Sequence, residues 1–565
     1  MIGTKRRFFI LFFLLVAFGL TLRAEGPDPV TDPTIVLPAF AVTADIEGYD
    51  QEVGWRYCSL PGLEVLGKGW DTDFKDILRD FLLFRSALDT IWPKALTSEQ
   101  QPVILVFCND ASSYGKFFFN VKAAERSGSL KNGGSVTISF IGGSSLSQGD
   151  QAIVVLRILP DRIVNVAVLE MCYVDAILER IEEHSSPWLY RGLYKAFVGG
   201  SYSKGRFFFP PLTTDETLSI RRAGSVEDLE KALKTGKFFT LEQLFSAEKA
   251  PPGEVHGKNI PQKEMLSRLY AGPWSNECYE FVHLCLFGAG GKYREPFLKL
   301  ADLASKQPID EVTFRSLFGM SFQDMLLVLW RTTDCAKATE FKVGKNKREV
   351  LAALPKVEFR DATDAEFSRI RGETLLAGKW RGAHFAFVAA YLRGARDPEL
   401  LASLGIQEAL FDKDERALKF LEAAASAHTT RARAYAELAR LRCKAAFAKP
   451  EGEGHKLSAA QMQTVIEPLS IAFKLPPAMP LSYQVLTAMW SEAAVRPSAA
   501  DLSVINQGVE RFPFDADLTY NAAAVYHQYG YVVEASALAE FGLKMARNEK
   551  DRARFIDLRA SLTPK

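Results

Sequence analysis

The stretch from Met171 to Phe197 constrains the fold more than any other part of the chain. The helical pattern that begins at about residue 162 is apolar on nearly every side as far as Leu178. A helix of that kind is buried between other elements. A short polar break follows, and Pro187 suits the first turn of a new helix. The pattern therefore predicts one helix over about 162–183 and a second from 187 onwards, packed at the centre of a domain.

Short apolar runs separated by turn residues precede this helix pair. They predict strands at 55–59, 63–66, 103–107, 135–141 and 152–158, with one helix over about 71–91. Residues 262–332 again carry a helical pattern, broken by a glycine-rich turn at 288–292. These elements predict an α+β domain over 51–335, in which a small mixed sheet with helices reaches to about 200 and a helical part covers about 262–335.

Several residues of the helix pair match a known motif in order and spacing. They are Tyr173-Val174 and Ala176-Ile177-Leu178 on the first helix, and Trp188-Leu189 and Gly192-Leu193 on the second. The pair resembles the active-site region of gluzincin-type, peptidase-MA-like metallopeptidases, in which H-E-x-x-H lies on one helix and W-L-x-E-G-L-A on the next. The resemblance covers about residues 55–333 and implies a metallopeptidase-like fold for that domain.

The residues that bind zinc in that family are replaced here. In the family, two histidines on one helix face and a later glutamate hold zinc, and the intervening glutamate activates a water. On the overlay these four positions fall on Met171, Cys172, Asp175 and Arg191. A thioether, a thiol, one carboxylate and a cation do not form that metal shell, and Arg191 would repel zinc. The resemblance therefore implies a pseudo-metallopeptidase with no catalytic residue, no metal and no cofactor.

Two alternatives for this region stay open. Asp175 and Arg191 are predicted to form an ion pair that replaces the zinc cross-link between the helices, or else one or both point to solvent. Cys172 as a nucleophile is a second alternative, but no histidine lies near it on the same helix. An active zinc peptidase with ligands drawn from distant residues is also retained, although no two of the seven histidines stand at helical ligand spacing.

Beyond a predicted linker at 336–361, the composition changes to pairs of Ala-, Leu- and Arg-rich helices. The clearest pair is 516–547, where small residues recur at the positions where two antiparallel helices approach closely. Similar patterns occur at 366–395, 397–426 and 431–474. These segments resemble tetratricopeptide repeats and imply an all-α TPR-like solenoid over 362–565, which binds protein or peptide partners or only braces the first domain.

The N-terminal residues predict export. Residues 1–24 have the basic, apolar and small-residue regions of a signal peptide, so the protein is expected in the periplasm or outside the cell. An uncleaved membrane anchor is the alternative. Residues 25–50 form a Pro-rich tether with one extended apolar patch at 35–43, which is predicted to lay a strand on the body. No later segment is long and apolar enough to be an integral membrane span.

Charge and cysteine content narrow the function further. The net charge of +1 gives no overall field that would attract nucleic acid, so no nucleic-acid partner is expected. The seven cysteines form no C-x-x-C pair, which excludes zinc ribbons and thioredoxin-like motifs. The sequence thus predicts an exported, non-catalytic binding protein. An active zinc-dependent peptidase and a structural component of a cell-envelope assembly are the alternatives.

Overall fold

The computed structural model describes residues 35–40, 49, 51–91, 102–117, 137–138, 143–184, 186–198, 201–203, 206–209, 225–246, 272–304, 306–332, 339–342, 354–380, 382–546 and 548–562. The predicted signal peptide and most of the predicted tether lie outside these residues. The strands are β1 (Trp55–Leu60), β2 (Leu63–Lys68), β3 (Val103–Cys108), β4 (Thr137–Ile138), β5 (Gly143–Gln148), β6 (Gln151–Arg157), β7 (Ser201–Ser203), β8 (Arg206–Phe209), β9 (Thr339–Lys342) and β10 (Arg360–Asp361).

The helices of the N-terminal half are α1 (Asp71–Ile91), α2 (Ala111–Gly115), α3 (Arg162–His184), α4 (Pro187–Val198), α5 (Val226–Lys234), α6 (Leu241–Ser246), α7 (Pro273–Phe287), α8 (Arg294–Ala304), α9 (Glu311–Phe318) and α10 (Phe322–Arg331). Those of the C-terminal half are α11 (Asp364–Ala377), α12 (Ala383–Leu392), α13 (Pro398–Leu410), α14 (Asp414–Ser426), α15 (Ala432–Ala448), α16 (Ala459–Ala472), α17 (Pro480–Ser491), α18 (Ala499–Arg511), α19 (Ala516–Gln528), α20 (Val532–Met545) and α21 (Glu549–Leu562).

Seven strands form a mixed sheet in the order β10-β1-β2-β3-β6-β5-β4. Strands β2, β3 and β6 are parallel at its centre, and the other neighbours are antiparallel. Every residue of β3 is buried, as expected of a central parallel strand covered on both faces. The chain thus has a small mixed sheet in its N-terminal half, followed by a mostly helical C-terminal region.

Strand β5 is an element that the sequence pattern did not predict. Its sequence, GSSLSQ, contains none of the β-branched or aromatic residues that favour strands. The strand pairs antiparallel with β6 along its whole length, from Gly143 opposite Leu156 to Gln148 opposite Gln151. Backbone pairing with a strongly apolar neighbour therefore decides the conformation here.

The first face of the sheet carries α1 and α3. Alternate side chains of β3 and β6, among them Leu105 and Val154, join one buried cluster with residues of these helices and of α4 and α7. Helix α3 contacts α1, α4, β5 and β6, and α4 contacts α7. The helix predicted to be buried all round is therefore in the middle of the N-terminal core.

The second face of the sheet is covered by the C-terminal half. The remaining side chains of β3 and β6, such as Ile104 and Val155, pack in a separate buried cluster with Trp55 of β1 and with Phe367 and Ile370 of α11. The segment predicted as a linker contributes β9, which pairs with β8 in a second sheet of order β7-β8-β9, and β10 at the edge of the main sheet. Helix α11 thus helps to cover the second face of the main sheet, and β10 forms one of its edges.

A buried ion network joins the sheet to the C-terminal helices. Arg431, which precedes α15, donates to Asp150 at the β5–β6 turn at 2.9 and 3.1 Å, and to Glu373 of α11 at 2.7 Å. Arg369 of α11 donates to Glu373 at 3.2 Å and to Glu64 of β2. The side chains of Arg431, Asp150 and Glu373 are at most 5% exposed, so these charges are held almost without water.

The C-terminal helices contact one another in a regular order. Each contacts the next along the chain, and α11, α13, α15, α17 and α19 also contact each other in series. Gly405 allows close approach within the α13–α14 pair, because a Cβ there would lie 2.6 Å from Leu421. Between residues 35 and 562, no single described helix is both long and apolar enough to cross a bilayer; one bent pair, α9 with α10 at 64°, meets that test jointly.

Candidate functional site

The four positions that would hold zinc and its water in a metallopeptidase lie on two helices in contact, as predicted. Met171, Cys172 and Asp175 are on α3, and Arg191 is on α4. Cys172 is buried, whereas the other three side chains are partly exposed. The Arg191 guanidinium lies over the Tyr190 ring, 5.6 Å from its centroid. The ion pair between Asp175 and Arg191 stays a prediction.

The environment of Cys172 does not activate its thiol. Burial raises the pKa of Cys172 to about 12, and the charge of nearby Asp175 adds to the rise. The thiolate is the reactive form, and a catalytic cysteine needs a lowered pKa. A nucleophilic role for Cys172 therefore has no support from its surroundings.

Helix α7 packs directly against α4 and brings buried polar groups beside the α3–α4 pair. A Cβ at Gly192 would lie 2.4 Å from Val282 Cγ2 and 2.6 Å from the Cys278 carbonyl oxygen, so only glycine fits this crossing. Lys195 of α4 donates to the side chain of Asn276. The close approach of α4 and α7 is what positions the polar residues of α7 next to the α3–α4 helix pair.

Three ionisable residues recur every third position along α7. Glu277, Glu280 and His283 are each at most 2% exposed within a helix that is otherwise strongly apolar. Glu277 accepts a hydrogen bond of 2.8 Å from the backbone N–H of Phe239. The sequence interpretation missed this row, and its signal was the three-residue spacing of ionisable groups inside an apolar helix. Among the described residues, no group of three or more His, Cys, Asp or Glu side chains could hold a metal ion.

A second candidate site lies on the C-terminal helices, where residues 35–40 pack as a segment without helix or strand. Ile35, Leu37 and Phe40 pack against the buried cluster of α11–α15, whereas Val36 is 76% exposed and Ala39 faces outward. The Tyr391 hydroxyl donates a 2.8 Å hydrogen bond to the Pro38 carbonyl. Burial raises the pKa of Tyr391, which keeps this hydroxyl protonated.

The aromatic contacts of this segment are made by the Phe40 ring. Four side chains surround it, and we call them the Phe40 site: His384, Tyr391, Arg416 and Phe420. The Phe420 ring is stacked at 5.7 Å, and the rings of His384 and Tyr391 meet it edge-on at 5.6 and 5.5 Å. The Arg416 guanidinium lies 4.1 Å from the ring centroid, which is a cation–π contact.

A buried carboxylate lies beside two polar members of the Phe40 site, His384 and Arg416. The Glu408 side chain is 1% exposed, and its oxygens lie 3.3 Å from Arg416 Nε, 3.5 Å from His384 Nδ1 and 3.8 Å from Lys413 Nζ. Burial lowers the pKa of His384 despite the opposing charge of Glu408. Glu408 thus fixes Arg416 over the position of the aromatic ring.

The same stretch of chain is held at a second point. Arg393 donates a 2.7 Å hydrogen bond to the Tyr49 carbonyl, and the Arg371 guanidinium lies 4.2 Å from the centroid of the Tyr49 ring. The sequence predicts that the tether lays a strand on the body; residues 35–40 do pack on the C-terminal helices, but they form no strand, and residues 41–43 lie outside the described part of the chain. No protein-family model matches this chain, and no curated protein is significantly similar to it in sequence.

Proposed function

We propose that the chain is an exported, non-catalytic, metallopeptidase-like protein whose C-terminal half is a TPR-like α-solenoid that binds extended segments of a protein or peptide partner. The observation that carries the proposal is the packing of residues 35–40, which form neither helix nor strand, on the C-terminal helices. Ile35, Leu37 and Phe40 pack against the helical surface there, and the Tyr391 hydroxyl donates to a backbone carbonyl of the segment. These are the contacts that helical repeat proteins can offer to a peptide.

The order of helix contacts supports a solenoid. Each helix pair touches the next, and the first helices of successive pairs form a continuous series from α11 to α19. In a solenoid, each repeat contacts its neighbours along one direction, which leaves a long surface for a ligand. Gly405 stands where small residues are needed for two helices of one repeat to approach.

The residues at the metallopeptidase-like helix pair support a non-catalytic role. Met171 and Arg191 are poor replacements for a histidine and a glutamate as zinc ligands. Cys172 carries a raised pKa rather than the lowered one of a catalytic thiol. Metal analysis of the purified chain tests this part: about one tightly held zinc per chain, with peptide hydrolysis that chelation removes, would favour the active-peptidase alternative.

Selection of binding peptides tests the recognition role. The full-length chain and its Phe40→Ala variant are each immobilised, a random peptide library is selected on each, and the bound peptides are photo-cross-linked and mapped by mass spectrometry. We expect cross-links on helices between 364 and 562. Selected peptides that cross-link only to residues 51–335, or the failure of any peptide to be enriched on either chain, would contradict the proposal.

A brace in an envelope assembly is the second candidate function, and one observation favours it. Helix α11 and the buried ion network attach the C-terminal half firmly to the sheet. Deleting residues 362–565 does not separate the two functions, because the deletion uncovers the sheet face beside Trp55 in either case. The peptide selection does separate them, since a pure brace enriches no peptide.

A further inference from the structure

We propose further that residues 35–40 occupy, within the same molecule, the place of the partner's peptide. The partner would then be an extended segment with the same side-chain pattern: two alternate aliphatic residues, then proline, and an aromatic residue at the position of Phe40. This inference rests on the proposed function and specifies its ligand. The segment acts as a built-in competitor that the partner must displace.

The contacts of the segment are ones that a separate peptide can reproduce. They consist of three inward side chains, Ile35, Leu37 and Phe40, and the carbonyl of Pro38. The outward residues Val36 and Ala39 leave the other side of the segment exposed. An extended ligand read through alternate side chains and one backbone group is a recurring mode of peptide recognition.

The Phe40 site requires an aromatic residue. Stacking on Phe420 and the cation–π contact with Arg416 both need a ring, and Glu408 holds Arg416 in position. An aliphatic side chain would fill the space without either interaction. We expect a peptide with leucine at this position to bind about ten-fold more weakly than one with phenylalanine.

The short connection to Tyr49 makes the internal segment a strong competitor. Residues 41–48 alone separate Phe40 from Tyr49, which is itself held by Arg393 and Arg371. A ligand joined by a short linker has an effective concentration in the millimolar range. A free peptide with the same intrinsic affinity therefore competes poorly until the internal segment is weakened.

Fluorescence anisotropy with a labelled peptide of residues 33–42, PTIVLPAFAV, tests the inference. The peptide is titrated with the full-length chain and with its Phe40→Ala and Leu37→Ser variants, each checked for an unchanged circular dichroism spectrum. Because both substitutions weaken the internal segment, we expect each variant to bind the peptide about ten-fold or more tightly than the unmodified chain. The Val36→Ala variant, altered at an outward position, should behave as the unmodified chain.

Two further measurements test whether the peptide binds at the Phe40 site. In the Phe40→Ala background, Tyr391→Phe removes the hydrogen bond to the Pro38 carbonyl and should weaken the peptide about three- to ten-fold. A peptide with alanine in place of phenylalanine should lose most of its binding. If the unmodified chain and both variants bind the peptide equally, or none binds it, internal occupancy is refuted.

The outcomes also distinguish this inference from the proposed function. If library peptides cross-link to the C-terminal helices while the Phe40→Ala variant gains no affinity for PTIVLPAFAV, the binding role stands and the internal competitor does not. A dimer that forms with increasing concentration in sedimentation, and that Phe40→Ala abolishes, would instead assign the site to the segment of a second copy. That result would overturn occupancy within one molecule.

Discussion

Replacing Arg431 by methionine should destabilise the protein far more than the same change at Arg442. The two arginines are close in the chain: Arg431 immediately precedes α15, and Arg442 lies within it. Arg431 donates to Asp150 and Glu373, whose side chains are 2% and 1% exposed. Removing one partner of a buried ion pair leaves a charge without compensation and costs about 3–5 kcal/mol. Arg442, 26% exposed, pairs with Glu422 at 3.4 Å and Glu467 at 3.2 Å, and a pair of that kind contributes about 0–1 kcal/mol.

The two carboxylates keep other partners in the Arg431→Met variant. We therefore expect the loss in the free energy of unfolding to fall in the lower part of that range. Asp150 keeps Arg433 at 3.8 Å, and Glu373 keeps Arg369 at 3.2 Å. The cause of the loss can be tested separately by adding Asp150→Asn and Glu373→Gln to Arg431→Met. If uncompensated charge is responsible, the triple variant should regain stability relative to Arg431→Met alone.

Urea unfolding followed by circular dichroism measures these differences. A chain of this size need not unfold in one step, so the first transition is compared between variants. We expect its midpoint to fall clearly in Arg431→Met and to stay near that of the unmodified chain in Arg442→Met. If the free energies of unfolding of the two variants differ by less than about 1 kcal/mol, the ion network does not stabilise the contact between the sheet and the C-terminal helices as proposed.

Three other predictions follow from the described contacts. Gly192→Ala should lower the thermal midpoint, because overpacking against Val282 and the Cys278 carbonyl costs about 1–3 kcal/mol and outweighs the helix-propensity gain of about 1 kcal/mol. Gly115→Ala is the control, because a Cβ at Gly115 would have no atom within 4 Å. An unchanged midpoint for Gly192→Ala would contradict the tight crossing of α4 and α7. Because burial lowers the pKa of His384 below 6.5, the unfolded chain binds a proton that the folded chain does not, so stability should fall as the pH drops below that value. Thermal midpoints at pH 7.5 and 5.5 check this, and His384→Gln should lose less over the same interval. Six of the seven cysteines lie in the described part of the chain and all six are buried, so a thiol reagent at pH 8 should label at most one thiol per native chain within minutes and all seven after unfolding.

Much of the local structure could be predicted because it depends on local patterns. The helix bounds 71–91 and the start at Pro187 agree with α1 and α4, since apolar periodicity and proline act within a few residues. Strand β5 could not be predicted, because GSSLSQ becomes a strand only through pairing with β6. The strand β10 and the cover provided by α11 also escaped the sequence interpretation, since no local pattern says which distant surface a helix will bury.

In the candidate sites, too, local sequence patterns predict some features, whereas others depend on tertiary packing. The positions Met171 to Asp175 and Arg191 share two adjacent helices, as helical spacing predicts. The Phe40 site combines residues from α12 and α14 with a segment more than 340 residues earlier in the chain, so it depends on tertiary packing alone. The ionisable row on α7 had a visible signal in its spacing, but burial rather than sequence shows that all three residues face the interior.

The position of β10 has a consequence for how the protein is made. Arg56 of β1 pairs with Asp361 of β10, 305 residues later, and Trp55 packs at 5.1 Å from Phe367. During synthesis, the edge of β1 and the apolar face beside it therefore stay uncovered until the chain has grown past residue 367. Exposed strand edges and apolar faces promote aggregation of incomplete chains. A product that ends before β10 should thus depend on chaperones or be degraded, whereas the finished chain closes its own sheet.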